Sequence, residues 1–407
     1  MGRAKSSFSL FGGLFGSKKR TRSVKPTRKI WRYVWLFFLV VTGSGGLAGA
    51  SEYDALRALW NILRARAQHS PTASTSPNQD GSPQTGDASN SPIRVYFTTP
   101  AAETPGDIAH SVVKYIDATR KTLDVAAFEL DNRIITDALV RAVKRGIQVR
   151  LVTETDYVNE IGVKALRAVG VQVVDNQRSG LMHNKFMVFD RWAVWTGSMN
   201  FTENCAYKNN NNGVFIVDAK LAENYAVKFS WMFEKRKFGG LPSKTDRIPN
   251  PMITLSDNTQ IENYFSTHDR PANHVVETLK LAKKFIHFMA FSFTHDGIGR
   301  EMMARAANGV DVQGVFEKTQ TAGEHSEYFK MRDAGLHVYL DGNSRNMHHK
   351  VIIIDGEIVI FGSFNFSESA DKSNDENLLI VYNRNVAARF EEEYQRVLQT
   401  ARNAQLK

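Results

Sequence analysis

Two stretches of this chain place the same side chains at the same spacing. "LMHNKFMVFDRWAVWTGSMNFT" (181–202) carries His183, Lys185, Asp190, Ser198 and Asn200, and "MHHKVIIIDGEIVIFGSFNFS" (347–367) carries His348, Lys350, Asp355, Ser363 and Asn365. Burying a charged group beside an Ile-rich run is costly unless the group is used. Side chains alternate along a strand, so His183 and Lys185 share a face, as do His348 and Lys350. Each Asp stands seven residues past its His, an odd step, and so belongs to the turn after the strand. Ser198 and Asn200 share a face of the following strand, as do Ser363 and Asn365.

Two such sets facing each other would offer two imidazoles and two ammoniums to one anion. That is a receptor for a phosphodiester: the lysines neutralise the non-bridging oxygens and the charge added in a pentacoordinate transition state, and Asn and Ser donate hydrogen bonds. One neutral histidine can attack phosphorus while the other, protonated, gives its proton to the leaving oxygen. The residue types leave open which is which. No metal is required, and a zinc site is disfavoured because each His is followed by a Lys that repels a cation and no ligand-spaced Cys or carboxylates accompany it. His349, on the face opposite His348, is read as structural.

The elements that must position these residues come in two copies. "KTLDVAAFEL" (121–130) aligns with "KKFIHFMAFSF" (283–293), a helix ending at Gly146 with one ending at Gly309, and strands ending in Glu154 and Glu317 with each other, all offset by 163. From His183 onward the offset is 165. A period this long marks a duplicated domain, and strands alternating with helices predict α/β halves with helices covering a mixed sheet. The sheet is mixed because "MHNKFMVFD" and "AVWTGS" are close enough to form a hairpin. The junction between halves is placed in "GGLPSKTDRIPNP" (239–251). Met302/Met303 and Phe285/Phe288/Phe291 are read as core.

The paired His-x-Lys-x4-Asp motifs with their "GSMNFT" and "GSFNFS" sequels resemble the phospholipase D superfamily, and most of all its short bacterial nuclease and cardiolipin-hydrolase branch. The resemblance runs from Ile93 to the C-terminus. It implies two α-β-α domains related by pseudo-twofold symmetry, one active site where they meet, and a metal-independent route through a covalent phosphohistidine. By that similarity His183 would be the nucleophile and His348 the general acid. The second half carries "SNDEN" (373–377), where the resemblance lets Glu376 hold an active-site histidine; the first half reads "NNNNG" (209–213), with Asn211 at that position. The two imidazoles would then feel different fields, which could assign the acid and base roles. Glu154 and Glu317, at symmetric strand ends, are read as solvated or salt-bridged acids in preference to site residues.

Charge narrows the partners. Lys and Arg number 52 against 42 Asp and Glu, but ten of the bases and none of the acids fall in residues 1–50; the rest of the chain is neutral. That disfavours tight binding of a polyanion by the body of the protein. A basic block followed by "YVWLFFLVVTGSGGLAGA" predicts a signal anchor, or a signal peptide cleaved near residue 50, with everything beyond facing outward. The expected organisation is a basic tail and signal segment (1–50), an amphipathic helix (51–69), a Ser/Pro-rich linker (70–92) and two halves (93–245 and 246–407). The single cysteine, Cys205, is read as a buried small hydrophobe. The expected activity is hydrolysis of a phosphodiester, phospholipid headgroups being favoured over nucleic acid, with an inactive binding module as a third reading. The expected partners are the substrate and, through the N-terminal segment, a membrane. Both half-sites lie in one chain, so no protein partner is expected.

Overall fold

The computed structural model describes residues 91–100, 108–240 and 246–406. The expected signal segment, amphipathic helix and nearly all of the linker lie outside the described residues, as do residues 241–245 of the expected junction.

The first half runs β1 (Ile93–Phe97), α1 (Ile108–Ala118), β2 (Thr122–Ala127), α2 (Arg133–Lys144), β3 (Gln148–Thr153), α3 (Ile161–Ala168), β4 (Gln172–Asp175), β5 (Lys185–Phe189), β6 (Ala193–Gly197), α4 (Glu203–Tyr207), β7 (Asn212–Val217) and α5 (Ala219–Phe233). The second adds a short β8 (Met252–Thr254) and continues with β9 (Gln260–Phe265), α6 (Pro271–Leu279), β10 (Phe285–Ala290), α7 (Asp296–Ala307), β11 (Asp311–Phe316), α8 (Glu327–Asp333), β12 (His337–Leu340), β13 (Lys350–Ile354), β14 (Ile358–Gly362), α9 (Glu368–Lys372), β15 (Asn377–Tyr382) and α10 (Arg384–Gln405).

The sheets have the orders β4-β3-β2-β5-β6-β7-β1 and β12-β11-β10-β13-β14-β15-β9-β8. Apart from β8 the second repeats the first strand for strand, which is the expected duplication. Both sheets are mixed: β2, β3 and β4 run parallel, whereas β5 pairs antiparallel with β2 on one side and β6 on the other. The sequence accounts for these choices locally. β5 (KFMVF) and β13 (KVIII) are buried at every position, as central strands covered on both faces must be. The Asn132 side chain caps α2 by accepting the Ile135 N–H, and Gly146 closes that helix at φ +83°. His295 and Gly309 (φ +87°) do the same for α7.

One apolar core is shared by the halves. Phe186, Val188, Tyr225 and Phe229 from the first pack in the same cluster as Ile353, Phe361, Leu379, Phe390 and Tyr394 from the second. A separate core lies under α1 and α2, around Leu123, Val125, Met187 and Trp195. The shared core fixes the halves against each other and so fixes what faces what at their junction. Among the described residues no helix is long and apolar enough to cross a membrane.

Candidate active site

The chain just ahead of β5 leaves its own sheet and pairs with the other half. Met182 bridges to Asp375 and, symmetrically, Met347 bridges to Asn210. His183 donates its N–H to the Asp375 carbonyl at 3.0 Å and Asp375 donates to Leu181 at 2.7 Å; His348 donates to the Asn210 carbonyl at 2.9 Å and Asn210 to Asn346 at 2.9 Å. From below, Glu154 accepts the Met182 N–H at 2.6 Å and Glu317 the Met347 N–H at 2.7 Å. The reading of them as solvated or salt-bridged acids is corrected: both are buried, neither makes an ion pair among the described residues, and each holds the backbone beside a motif histidine.

This exchange decides how the imidazoles are oriented. Nδ1 of His183 meets Oε2 of Glu376 at 2.8 Å, and Nδ1 of His348 meets Oδ1 of Asn211 at 2.9 Å. Each ring is held by a residue of the opposite half, leaving its Nε2 free of that contact. The holders are themselves held: Ser363 Oγ donates to Glu376 at 2.6 Å and Ser198 Oγ to Asn211 at 3.0 Å. Lys185 and Lys350 are buried, and each donates to the carbonyl of its motif histidine, at 2.6 and 2.8 Å. Phe128 stands edge-on to His183 with ring centres 4.7 Å apart, and Phe291 edge-on to His348 at 4.6 Å. Each ammonium lies 4.7 Å from the centre of the Phe ring in its own half, a cation–π contact.

The electrostatics show four groups acting on one another. Burial drives both imidazoles well below their ordinary range, and the charges of both lysines push the same way on each. Lys185 is lowered to about 8 by burial, and Lys350 is lowered strongly by burial and by Lys185. Burial pushes Glu376 up to about 8 against the pull of the two lysines. An anion bound among these four bases would oppose the lowering of each.

The motif residues divide into two groups. His183, Lys185, His348 and Lys350 come together. Asp190 and Asp355 do not: each stands at φ near +50° in the turn at the far end of its strand, about 16 Å along the chain from its lysine. Asp190 accepts the backbone N–H groups of Arg120, Lys121 and Thr122 at 2.7–3.0 Å, and Asp355 those of Lys283, Lys284 and Phe285 at 2.8–2.9 Å. Grouping them with catalytic residues is corrected: they fix where β2 and β10 begin. Ser198 and Ser363, expected to donate to substrate, are fully buried and donate to Asn211 and Glu376. Glu376, grouped with substrate-binding residues, touches His183. Asn200 and Asn365, expected to bind substrate, each have a buried Oδ1 that has no partner among the described residues. Phe291, read as core, flanks His348, and Met303 is only half-buried. Cys205 is buried, and burial raises its thiol.

Sequence reasoning missed the exchange of Glu376 and Asn211 between halves, because offsets within each repeat carry no information on contacts across them. It also missed a buried ion pair behind the site. Lys228 Nζ lies 2.5 Å from Asp375, both fully buried, and Asp375 further binds Arg178 at 3.2 Å and the Gly239 N–H. The only sequence signal was that Asp375 replaces Asn210 of the first half. His349 is structural as expected: Asn212 and Glu393 hold its two nitrogens at 3.0 and 2.9 Å.

The chain is similar to known proteins. The model of the family described as cardiolipin synthase, PLD-like domain, matches twice, over residues 112–233 and 275–398. The chain is 28% identical to the mitochondrial cardiolipin hydrolase of Xenopus tropicalis over 131 residues, 32% of this chain and 62% of that protein. It is 29% identical to a phospholipase D of Rickettsia bellii (strain RML369-C) over 153 residues, 37% of this chain and 73% of that protein. The matches thus span between about three fifths and three quarters of these relatives. The phosphatidylserine synthase structure from Haemophilus influenzae Rd KW20 shares the fold, with TM-score 0.56 and 13% identity over 75% of this chain and 86% of that one.

Proposed function

The chain belongs to the cardiolipin synthase, phospholipase D-like domain family, and on that premise we propose that it is a phosphodiesterase working through a covalent phosphohistidine. One observation carries the proposal: two buried imidazoles, each oriented through Nδ1 by the opposite half, share one site with two buried lysines.

The partners of the two rings support one order of roles. Attack by His183 Nε2 forms the N–P bond and leaves positive charge on the ring. Ionised Glu376, accepting from Nδ1–H, stabilises that charge, and Lys185 and Lys350 favour the ionised form. Asn211 accepts from Nδ1 of His348 without adding charge, so the His348 imidazolium stays the stronger acid. It protonates the leaving oxygen as the P–O bond breaks. In the second step neutral His348 takes a proton from water, water attacks phosphorus, and His183 departs. The lysines neutralise the non-bridging oxygens throughout, so no metal is assigned.

Phospholipid is the favoured substrate. The chain after residue 50 has no net charge with which to hold a polyanion, and the basic, then apolar N-terminal segment would tether the unit at a membrane with the site facing outward.

The test uses the full-length protein in detergent with EDTA, offered phospholipids and single- and double-stranded DNA in parallel, and then bis(p-nitrophenyl) phosphate. The last substrate has a leaving group that needs no proton. His348→Ala should release a burst of nitrophenol and retain the phosphoryl group covalently, whereas His183→Ala should give no burst. A burst from His183→Ala would refute the order of roles. Turnover of DNA alone would retire the lipid reading, and turnover of no diester would leave a binding module.

A further inference from the structure

Two consecutive asparagines of the first half hold two consecutive histidines of the second. Asn211 faces Nδ1 of the proton donor His348, and Asn212 Nδ2 donates to Nδ1 of His349 at 3.0 Å. The two contacts are linked within the first half. The Asn212 N–H donates to Ser198 Oγ at 3.0 Å, and Ser198 Oγ donates to Asn211 Oδ1 at 3.0 Å. His349 is fully buried, with Nε2 2.9 Å from Glu393 Oε1. Because Nδ1 accepts, the neutral ring carries its proton on Nε2 and donates it to Glu393. Arg396 donates to the same carboxylate at 2.8 and 2.7 Å, and to the Thr98 carbonyl of the first half at 3.2 Å.

The equivalent cluster of the other half has no titrating ring. At the offset of 165, His349 corresponds to Asn184, Glu393 to Lys228 and Asn212 to Asn377. Asn377 Nδ2 donates to Asn184 Oδ1 at 2.9 Å, and its Oδ1 accepts from the Thr196 and Tyr225 hydroxyls at 2.6 and 3.1 Å. That amide is pinned at both ends. Phe361 and Phe390 replace the two hydroxyl residues in the second half, and Asn212 Oδ1 is buried with no partner among the described residues. The Asn212 amide is thus held at its nitrogen alone. A half-turn brings Oδ1 to His349 Nδ1, where it accepts an N–H once the ring is protonated; the imidazolium then donates to Glu393 and to Asn212. The charged groups facing the ring are Glu393 and Arg396 from α10 and Lys350 from β13, with His348 adjacent. Burial lowers the proton affinity of His349, Glu393 works against that, and Arg396 and Lys350 add to it. His183 and His348 are lowered further, so His349 is the first of the three buried rings to take up a proton on acidification.

We propose that His349 is a positioning residue for the proton donor: neutral, it fixes Asn212 and, through Ser198, keeps Asn211 on His348, whereas a second proton turns the Asn212 amide and sets a like charge beside His348, so that activity requires His349 neutral. This inference rests on the phosphodiesterase reading above and assigns the acid limb of its pH profile to a group outside the four reacting bases.

The experiment follows kcat/KM of the full-length protein against pH on whichever of phospholipid and DNA wild type turns over, since both release an alkoxide that needs a proton. His349→Asn installs the residue of the first half and keeps an acceptor for Asn212 without a titrating ring; its acid limb should move to lower pH by about one unit. Glu393→Gln removes the charge that favours the imidazolium, and Phe390→Tyr supplies a hydroxyl that pins the equivalent amide. Both should move the limb the same way. His349→Leu leaves Asn212 Nδ2 without an acceptor and should lower kcat/KM about tenfold at every pH, and His349→Asn should recover most of that loss on the plateau. Nitrogen NMR, with His349 assigned by its loss in His349→Asn, should show a neutral ring protonated on Nε2 that takes up its second proton over the acid limb. Acid limbs superimposable on wild type in all three variants, a wild-type rate in His349→Leu, or a neutral ring protonated on Nδ1 would each overturn the proposal while the phosphodiesterase reading stands. Turnover of no diester by wild type would end both.

Discussion

His183 and Glu376 are 193 residues apart in the chain, belong to different repeats, and meet at 2.8 Å between Nδ1 and Oε2. The reciprocal contact, His348 to Asn211 at 2.9 Å, joins the other two loops. Neither half alone can orient its own imidazole. A duplicated domain has here become one site whose two rings have different holders, a carboxylate behind His183 and an amide behind His348.

That difference predicts an asymmetric response to exchanging the partners. Glu376→Gln should lower kcat by about 10²- to 10⁴-fold with little change in KM, since the carboxylate acts on charge that develops in the transition state. Asn211→Glu should raise the proton affinity of His348, moving the limb of the pH–rate profile set by the proton donor upward by about one unit or more. A profile of Asn211→Glu superimposable on wild type would show that the amide does not set the acidity of His348.

Lys185 should govern an alkaline limb. Its ammonium is lowered to about 8 by burial, and only the charged form stabilises the phosphoryl oxygens. kcat/KM, which reports the free enzyme, should therefore fall as pH rises through about 8. In Lys185→Arg a guanidinium that keeps its proton should extend activity to higher pH, even if the plateau is reduced by altered geometry. An unchanged alkaline limb in that variant would assign it to another group.

Asp190 and Asp355 should affect stability in preference to chemistry. Each accepts three backbone N–H groups ahead of a central strand. Alanine at either should destabilise by about 1–3 kcal/mol, seen as a lower Tm, with kcat/KM of the folded protein close to wild type. Loss of turnover without loss of Tm would return the aspartates to the catalytic set.

The pair Lys228–Asp375 should behave as a buried charge pair supporting the loop beneath Glu376. Lys228→Met leaves Asp375 with Arg178 as its remaining cation and should destabilise by about 3–5 kcal/mol in denaturant titration. Adding Asp375→Asn, which removes the uncompensated charge, should recover part of that loss. A double variant less stable than Lys228→Met would argue that Asp375 is held mainly by Gly239 and Arg178.

By itself the sequence determined the duplication, the mixed α/β halves, and the identity of the four buried bases. It did so because strand alternation and a repeated spacing are local properties that survive in the order of residues. It also showed that Asn211 stands where the second half has Glu376. Only the tertiary structure decided which histidine each of them serves. That depends on a shared core that sets the loops ahead of β5 and β13 against the opposite half, a contact between residues nearly two hundred positions apart that no local pattern encodes. The same holds for the aspartates and serines of the motif. Their spacing places them near the site in sequence, but a strand carries Asp190 and Asp355 away from it, and burial turns Ser198 and Ser363 inward onto Asn211 and Glu376.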